Sequence, residues 1–317
     1  MRFDELKNHL SGGDLFPCYY VAGEDAYLVK LALERFFALV EIKELNVSVF
    51  EGNLSVVDVV NAAETLPAFG SLRVVVAPAK IAKDLGAYLK NPCKSSIIVL
   101  VGDAKESKDG GKGVSGIPKE IHTLDCNRLP DNLLSAYVLA KLKKANGVIA
   151  PNALGLLIEY CSRYLGRIML ELDKLISFKA GAQITEEDVK LMVAADLEYK
   201  VFELSDAVVR RDSARALRIL NDMLQEGAGA SAKIFGLMYG HFRRLLYTAV
   251  SPSDGGLSDK LGVKDYAISV ARRQAGGFTK AKLKAILDRL HEADANIKSG
   301  RMADKQALTD FIVGACA

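Results

Sequence analysis

Tryptophan is absent from this chain of 317 residues, proline occurs eight times, and the five cysteines stand far apart. Cys18, Cys93, Cys126, Cys161 and Cys316 form no CxxC pair, and His9, His122, His241 and His291 are not spaced to complete a metal site with them. Neither a zinc module nor a disulfide scaffold is expected, and an odd number of scattered thiols reads as reduced packing residues in a cytoplasmic protein. No apolar run approaches the ~20 residues that span a bilayer. The opening Met1-Arg2-Phe3-Asp4-Glu5 carries acids where a secretory signal needs an apolar core. A membrane setting is therefore excluded from the expectation.

Charge of one sign is lacking too, the net value being +3. It is unevenly spread. Residues 200–317 hold 19 Lys and Arg against 13 Asp and Glu, a balance of +6 that leaves −3 for residues 1–199. A mildly basic final third can lie near nucleic acid or an acidic partner, at a density below that of a dedicated DNA-binding domain.

Catalytic chemistry is the third absence. The first strand-to-helix junction reads Val21-Ala22-Gly23-Glu24-Asp25-Ala26, at the place where many nucleotide-binding proteins cradle phosphates. It has no GxxxxGK[ST], no lysine for a terminal phosphate and no hydroxyl for magnesium. Glu24 and Asp25 set negative charge where a phosphate would go. The third strand ends Val76-Ala77-Pro78-Ala79-Lys80, without an acid to orient magnesium. Lys105, Lys108 and Lys112 on the glycine-rich stretch 102–116 lack phosphate-loop spacing and read as a solvated loop. Asp58 and Glu64 share one surface helix, and no nucleophile elbow or Ser/His/Asp grouping stands out. No catalytic site and no cofactor are expected.

What is there is a change of pattern along the chain. Apolar runs at 18–21, 46–50, 73–77, 96–101 and 120–124 read as strands, with helical periodicity at 25–40, 55–66 and 79–89 between them. Such alternation predicts a doubly wound parallel sheet with right-handed crossovers. After Leu129-Pro130 the strands stop. Helices are expected at 133–145, at 153–164 behind Pro151, at 167–178, and at a short segment capped by Thr185. From Val201 on, helical segments at 201–209, 213–225, 231–250, 266–275, 279–296 and 305–315 form a bundle without a sustained heptad. The expected class is α/β plus all-α, divided at 1–128, 129–199 and 200–317.

The most informative segment joins the helix at 55–66 to the strand at 73–77. Ser55, with Asp58 three positions on, is a capping-box start, and Pro67 disfavours helical geometry in Leu66. Leu66 and Phe69 thus fall on a short turn, Leu66-Pro67-Ala68-Phe69-Gly70, at a domain tip. Apolar side chains on such a projection suggest insertion into another protein. The competing reading has Phe69 folding back to staple its own helix to the sheet.

These residues resemble the delta subunit of the bacterial DNA polymerase III clamp loader, nearly end to end. The likeness is carried by Tyr19-Tyr20-Val21-Ala22-Gly23-Glu24-Asp25-Ala26-Tyr27-Leu28 and by Thr65-Leu66-Pro67-Ala68-Phe69-Gly70-Ser71-Leu72-Arg73. It continues in Leu170-Glu171-Leu172-Asp173-Lys174-Leu175 with Ile184-Thr185-Glu186-Glu187-Asp188-Val189, and in Ala293-Asp294-Ala295-Asn296-Ile297-Lys298-Ser299-Gly300. The resemblance implies an AAA+-like sheet domain without ATPase capacity, a helical lid domain and a C-terminal collar. It implies that the tip Leu66, Pro67, Ala68, Phe69 and Gly70 enters a pocket on the sliding clamp (the beta subunit) and opens it for loading on primed DNA. It also implies gamma/tau and delta-prime subunits as partners. One departure is Ala68, where the family often has a second large apolar residue, so Leu66 and Phe69 would carry more of the contact.

Arg243, Arg244, Arg272 and Arg273 are candidates for DNA or subunit contact, against a solvated bundle face. Arg167 and Glu171, four apart, read as a helix-surface ion pair. Two other functions fit parts of the chain. Leu257-Ser258-Asp259-Lys260-Leu261-Gly262-Val263, before the helix from Tyr266, suggests a helix-turn-helix DNA-binding regulator. Another non-catalytic subunit of the same loader would carry zinc-binding cysteines and a Ser-Arg-Cys motif, which this chain lacks.

Overall fold

The computed structural model describes residues 1–52, 54–102, 117–225, 227, 229–251, 253, 255–263 and 265–317. Lys105, Lys108 and Lys112 lie outside the described residues. Contacts gather the chain into two units, Met1–Gly147 with Arg163–Ala180, and Val148–Ser162 with Gly181–Ala317. The stretch 129–199 contributes helices to both.

The first unit runs α1 (Leu6–Ser11), β1 (Cys18–Ala22), α2 (Ala26–Phe37), α3 (Lys43–Asn46), β2 (Val47–Val49), α4 (Val56–Glu64) and β3 (Arg73–Pro78). A 3₁₀ helix (Ala79–Leu85), α5 (Gly86–Leu89), β4 (Ser96–Val101), β5 (His122–Asp125) and α6 (Asp131–Lys144) follow. Then α7 (Pro151–Tyr160) belongs to the second unit and α8 (Leu165–Lys179) to the first. The five strands are all parallel in the order β2-β3-β4-β1-β5. Every residue of β1 is buried, as are all but the last of β4. That is why their sequences are apolar without alternation: helices cover both faces of a parallel sheet.

Three local differences from the sequence pattern have physical causes. The edge strand β2 has only three residues because Asn46 ends α3 and turns its side chain to another task. The stretch read as one helix at 79–89 begins as a 3₁₀ helix, since Ala79, Ala82 and Leu85, three apart, are all buried and fit its three-residue turn. The short α1 is pinned by Phe3, fully buried, and by the Met1 ammonium donating to the Thr123 carbonyl at 2.9 Å.

Close packing fixes the junction after β1. A Cβ at Gly23 would stand 2.0 Å from the Cys126 carbonyl carbon and 2.6 Å from the Asn127 nitrogen. The Cys126 N–H donates to the Ala22 carbonyl at 2.8 Å, so the two backbones cannot part cheaply. Gly23→Ala is expected to destabilise the fold by roughly 1–3 kcal/mol through overpacking. Thermal melting checks it, and an unchanged Tm would contradict this packing.

The second unit continues with α9 (Glu186–Met192), α10 (Leu197–Val209), α11 (Ser213–Leu224), α12 (Ala230–Val250) and α13 (Leu257–Leu261). It ends with α14 (Asp265–Ala275), α15 (Lys280–Lys298) and α16 (Asp304–Cys316). Thr185 caps α9 through a capping box with Asp188, as its sequence anticipates. The bundle closes around Leu204, Leu220, Ile234, Met238, Phe242 and Phe311. Phe242 meets Phe278 and Phe311 edge-on, at centroid distances of 6.1 and 6.4 Å. His241 sits in this core, where burial drives its pKa down to about 3 and keeps the ring neutral. All five cysteines are free thiols, and burial pushes Cys18 and Cys126 up to about 12. Among the described residues no helix is long and apolar enough to cross a membrane.

Candidate functional site

The projecting turn is built by its neighbours. Ser55 caps α4, its hydroxyl accepting the Val57 N–H at 3.2 Å while Asp58 accepts the Ser55 N–H at 3.4 Å. Val59 and Ala63 bury the inner face of α4. The helix stops at Glu64, because Thr65 is already extended and donates its N–H and hydroxyl back to the Asn61 carbonyl at 3.1 and 2.8 Å. Pro67 then keeps Leu66 out of helical geometry, so the helix cannot resume.

Beyond that stop, Leu66 is 73% exposed and Phe69 87% exposed. Phe69 does not fold back against α4. Its φ of +54° lies in the left-handed region, which costs a bulky L-residue on the order of 1 kcal/mol. The flanking residues hold it there. Asn46, fully buried, donates from Nδ2 to the Ala68 carbonyl at 2.9 Å and accepts the Ala68 N–H on Oδ1 at 2.7 Å. On the other side the Glu41 carboxylate accepts the Ser71 N–H at 3.3 Å and the Ser71 hydroxyl at 3.2 Å. Gly70 leaves room for that carboxylate, since a Cβ there would lie 2.5 Å from Glu41 Oε2. Arg73 ties the start of β3 to the Leu45 carbonyl and the Ser48 hydroxyl, each at 3.3 Å. Hydrogen bonds from its own backbone N–H and from Ser71 hold the Glu41 carboxyl below its usual range. This anchor is therefore intact above the ordinary carboxylate pKa and is released only as pH falls through the lowered value.

Two apolar side chains thus stand in water on a turn whose backbone is fixed at Ala68 and Ser71. Pro67 and Ala68 between them, and Gly70 after Phe69, are half-buried. Such an arrangement can do one thing well, which is to offer preformed anchors to a pocket without a large ordering cost. Asn46 and Glu41 escape sequence reading because they lie 22 and 30 residues from the groups they hold. The only signal for Asn46 is a polar residue opening an apolar strand-like run.

The first strand-to-helix junction is occupied by the chain's own carboxylates. Asp25, 2% exposed, accepts the Tyr27 N–H at 3.0 Å and the Leu165 N–H at 2.8 Å, so one side chain caps the starts of both α2 and α8. Burial raises its pKa, against the lowering effect of those N–H donors and of Arg128. Glu24 lies 3.6 Å from the Arg128 guanidinium, which in turn covers the Tyr164 ring at 4.0 Å. The acids at this junction serve helix ends and interhelical packing.

The four arginines of the bundle have different surroundings. Arg272 donates from Nη1 to the Thr248 and Ser251 carbonyls at 3.0 and 3.2 Å and so closes the end of α12. Arg243 lies over the Tyr247 ring at 5.6 Å, Arg244 is half-buried, and Arg273 is exposed. Glu171 pairs with Lys174, three residues on, at 2.5 Å. Lys298 pairs with Asp294 at 2.6 Å on the surface of α15.

Comparison with known proteins agrees with this architecture. The family model "DNA polymerase III, delta subunit" matches residues 19–126, and "DNA polymerase III delta subunit, C-terminal domain" matches residues 198–315. DNA polymerase III subunit delta of Bacillus subtilis (strain 168) is 27% identical over 336 residues, covering 99% of this chain and 96% of its own length. A probable DNA polymerase III subunit delta of Aquifex aeolicus (strain VF5) is 24% identical over 229 residues, covering 69% of this chain and 65% of its own. Among solved structures, the DNA clamp loader delta protein of Bacillus subtilis shares the fold with a TM-score of 0.66 at 24% identity, over 99% of each chain. The helix pair α13–α14, which suggested a helix-turn-helix regulator, lies inside the matched C-terminal domain, and that reading gives way. The chain belongs to the delta-subunit family of DNA polymerase III, accessory clamp-loader subunits that have no catalytic role of their own.

Proposed function

We propose that this chain binds the sliding clamp through Leu66, Pro67, Ala68, Phe69 and Gly70 and opens it for loading on primed DNA. The observation that carries the reading is Phe69, 87% exposed and held at positive φ by bonds to the residues on either side of it. Burying Phe69 and Leu66 in a clamp pocket would contribute roughly 1.5–3 kcal/mol each before the cost of association. That suits a contact made and broken in a loading cycle. In this reading residues 1–128 carry the tip, 129–199 act as a lid and 200–317 as a collar. The collar assembles with gamma/tau and delta-prime subunits in the cytoplasm, at the nucleoid during replication. Of the four arginines, Arg273 is best placed for a subunit or DNA contact, while Arg243 and Arg244 are partly covered and Arg272 is committed to the end of α12.

Gel filtration of the purified chain mixed with the sliding clamp of its own organism tests the proposal. Co-elution is expected. Separate elution at concentrations well above micromolar would contradict it.

A further inference from the structure

A second surface, separate from the tip, has the chemistry of a docking site. The last turns of α12 and the first turns of α15 flank an open, shallow groove of about 470 Å³ lined by Leu246, Tyr247, Val250, Lys280, Ala281 and Lys284. Its floor is carbon. Val250 is 50% exposed, and Tyr247 is exposed under the Arg243 guanidinium. The cations lie to one side, on α15.

Among the six residues that line the groove, the charged ones are two lysines, Lys280 and Lys284. The 21 residues of α12 include no Asp or Glu. Helix α15 opens Lys280-Ala281-Lys282-Leu283-Lys284, with no acid in its first turn and its first carboxylate at Asp288. Lysines at a helix N-terminus oppose the dipole rather than complement it. Asp288 does pair with Lys284 at 2.9 Å, but both side chains are mostly exposed, and an i,i+4 surface pair of this kind is easily exchanged for a better partner.

We propose that this groove takes a short acidic segment of a partner protein that carries one bulky apolar side chain. The apolar side chain would fill the space between Leu246, Val250 and Ala281, and flanking carboxylates would meet Lys280 and Lys284. A single-stranded nucleic acid fits less well, because its phosphates need cations spaced along a track and its bases need open ring faces. Here the cations are clustered and the Tyr247 ring already lies beneath Arg243. The proposal does not depend on the clamp-binding reading of the tip.

The test is fluorescence anisotropy with the full chain and a fluorescein-labelled synthetic peptide in which a Phe is flanked by Asp and Glu. Controls are the same peptide with Asn and Gln for the acids, the same peptide with Ala for Phe, and an oligothymidylate. Binding of the acidic peptide is expected to weaken about tenfold or more in a Lys280→Glu/Lys284→Glu chain and in Val250→Asp. Both control peptides should bind correspondingly weakly, and Phe69→Ala should leave the acidic peptide's affinity unchanged. Melting curves show that each variant is folded, and Lys280→Gln/Lys284→Gln provides a milder pair should the reversal unfold the bundle. No binding of the acidic peptide, or affinity indifferent to the variants, overturns the proposal. So does an oligothymidylate that binds in its place and is lost in the same variants.

Discussion

Phe69→Ala is expected to weaken association with the sliding clamp by about tenfold to a hundredfold while leaving the fold intact. Truncating the ring removes roughly 1.5–3 kcal/mol of apolar burial at the interface, and each 1.4 kcal/mol is about tenfold in affinity. The fold should be indifferent, because a side chain 87% exposed contributes little to its own core. The strain at φ +54° remains with Ala, so the backbone has no new reason to relax. Surface plasmon resonance against immobilised clamp gives the affinity, and a melting curve gives the control. Leu66→Ala should act in the same direction, since Leu66 is the other large apolar side chain of the turn and Ala68 offers only a methyl group. Equal clamp binding by wild type and Phe69→Ala, at equal Tm, would remove Phe69 from the interface.

The second large effect is expected away from the contact itself, at Asn46. Its amide satisfies both backbone groups of Ala68 from a fully buried position. Asn46→Ala leaves that N–H and that carbonyl without partners, which costs about 1–3 kcal/mol for each group that stays dry. If the turn escapes the penalty by swinging into water, Phe69 loses its fixed direction. Stability and clamp affinity should therefore both fall, affinity by several-fold even far below the melting temperature. Asn46→Asp separates the two roles. It keeps an acceptor for the Ala68 N–H but sets an oxygen against the Ala68 carbonyl, so partial loss is expected. Full clamp affinity in Asn46→Ala at a temperature where it is folded would mean that the turn needs no such anchor.

Much of this molecule was legible from its residues, and the exceptions have a common cause. Strands β1, β3 and β4 announce themselves because both faces are covered, so their apolar runs are unbroken. The start of α4 and the start of α9 are written in Ser55/Asp58 and Thr185/Asp188, which act within four residues of one another. The turn at 66–70 was legible because Pro67 acts on its immediate neighbour. What was not legible acts over distance. Nothing near Glu41 or Asn46 in the sequence indicates that they reach Ser71 and Ala68. Likewise Asp25 reads as one of two acids at a helix entry, and only the fold brings the Leu165 N–H to its second oxygen. Arg272 has the look of a surface cation until the end of α12 comes to meet it.

The most direct measurement is photo-crosslinking. A benzophenone amino acid in place of Phe69, in the full chain mixed with the sliding clamp, should on irradiation form a covalent adduct with the clamp that mass spectrometry maps to a hydrophobic pocket on its surface. The same photoreactive residue at exposed Val313 should give none. Absence of a clamp adduct from position 69 under conditions where the two proteins co-elute would contradict clamp binding through Phe69.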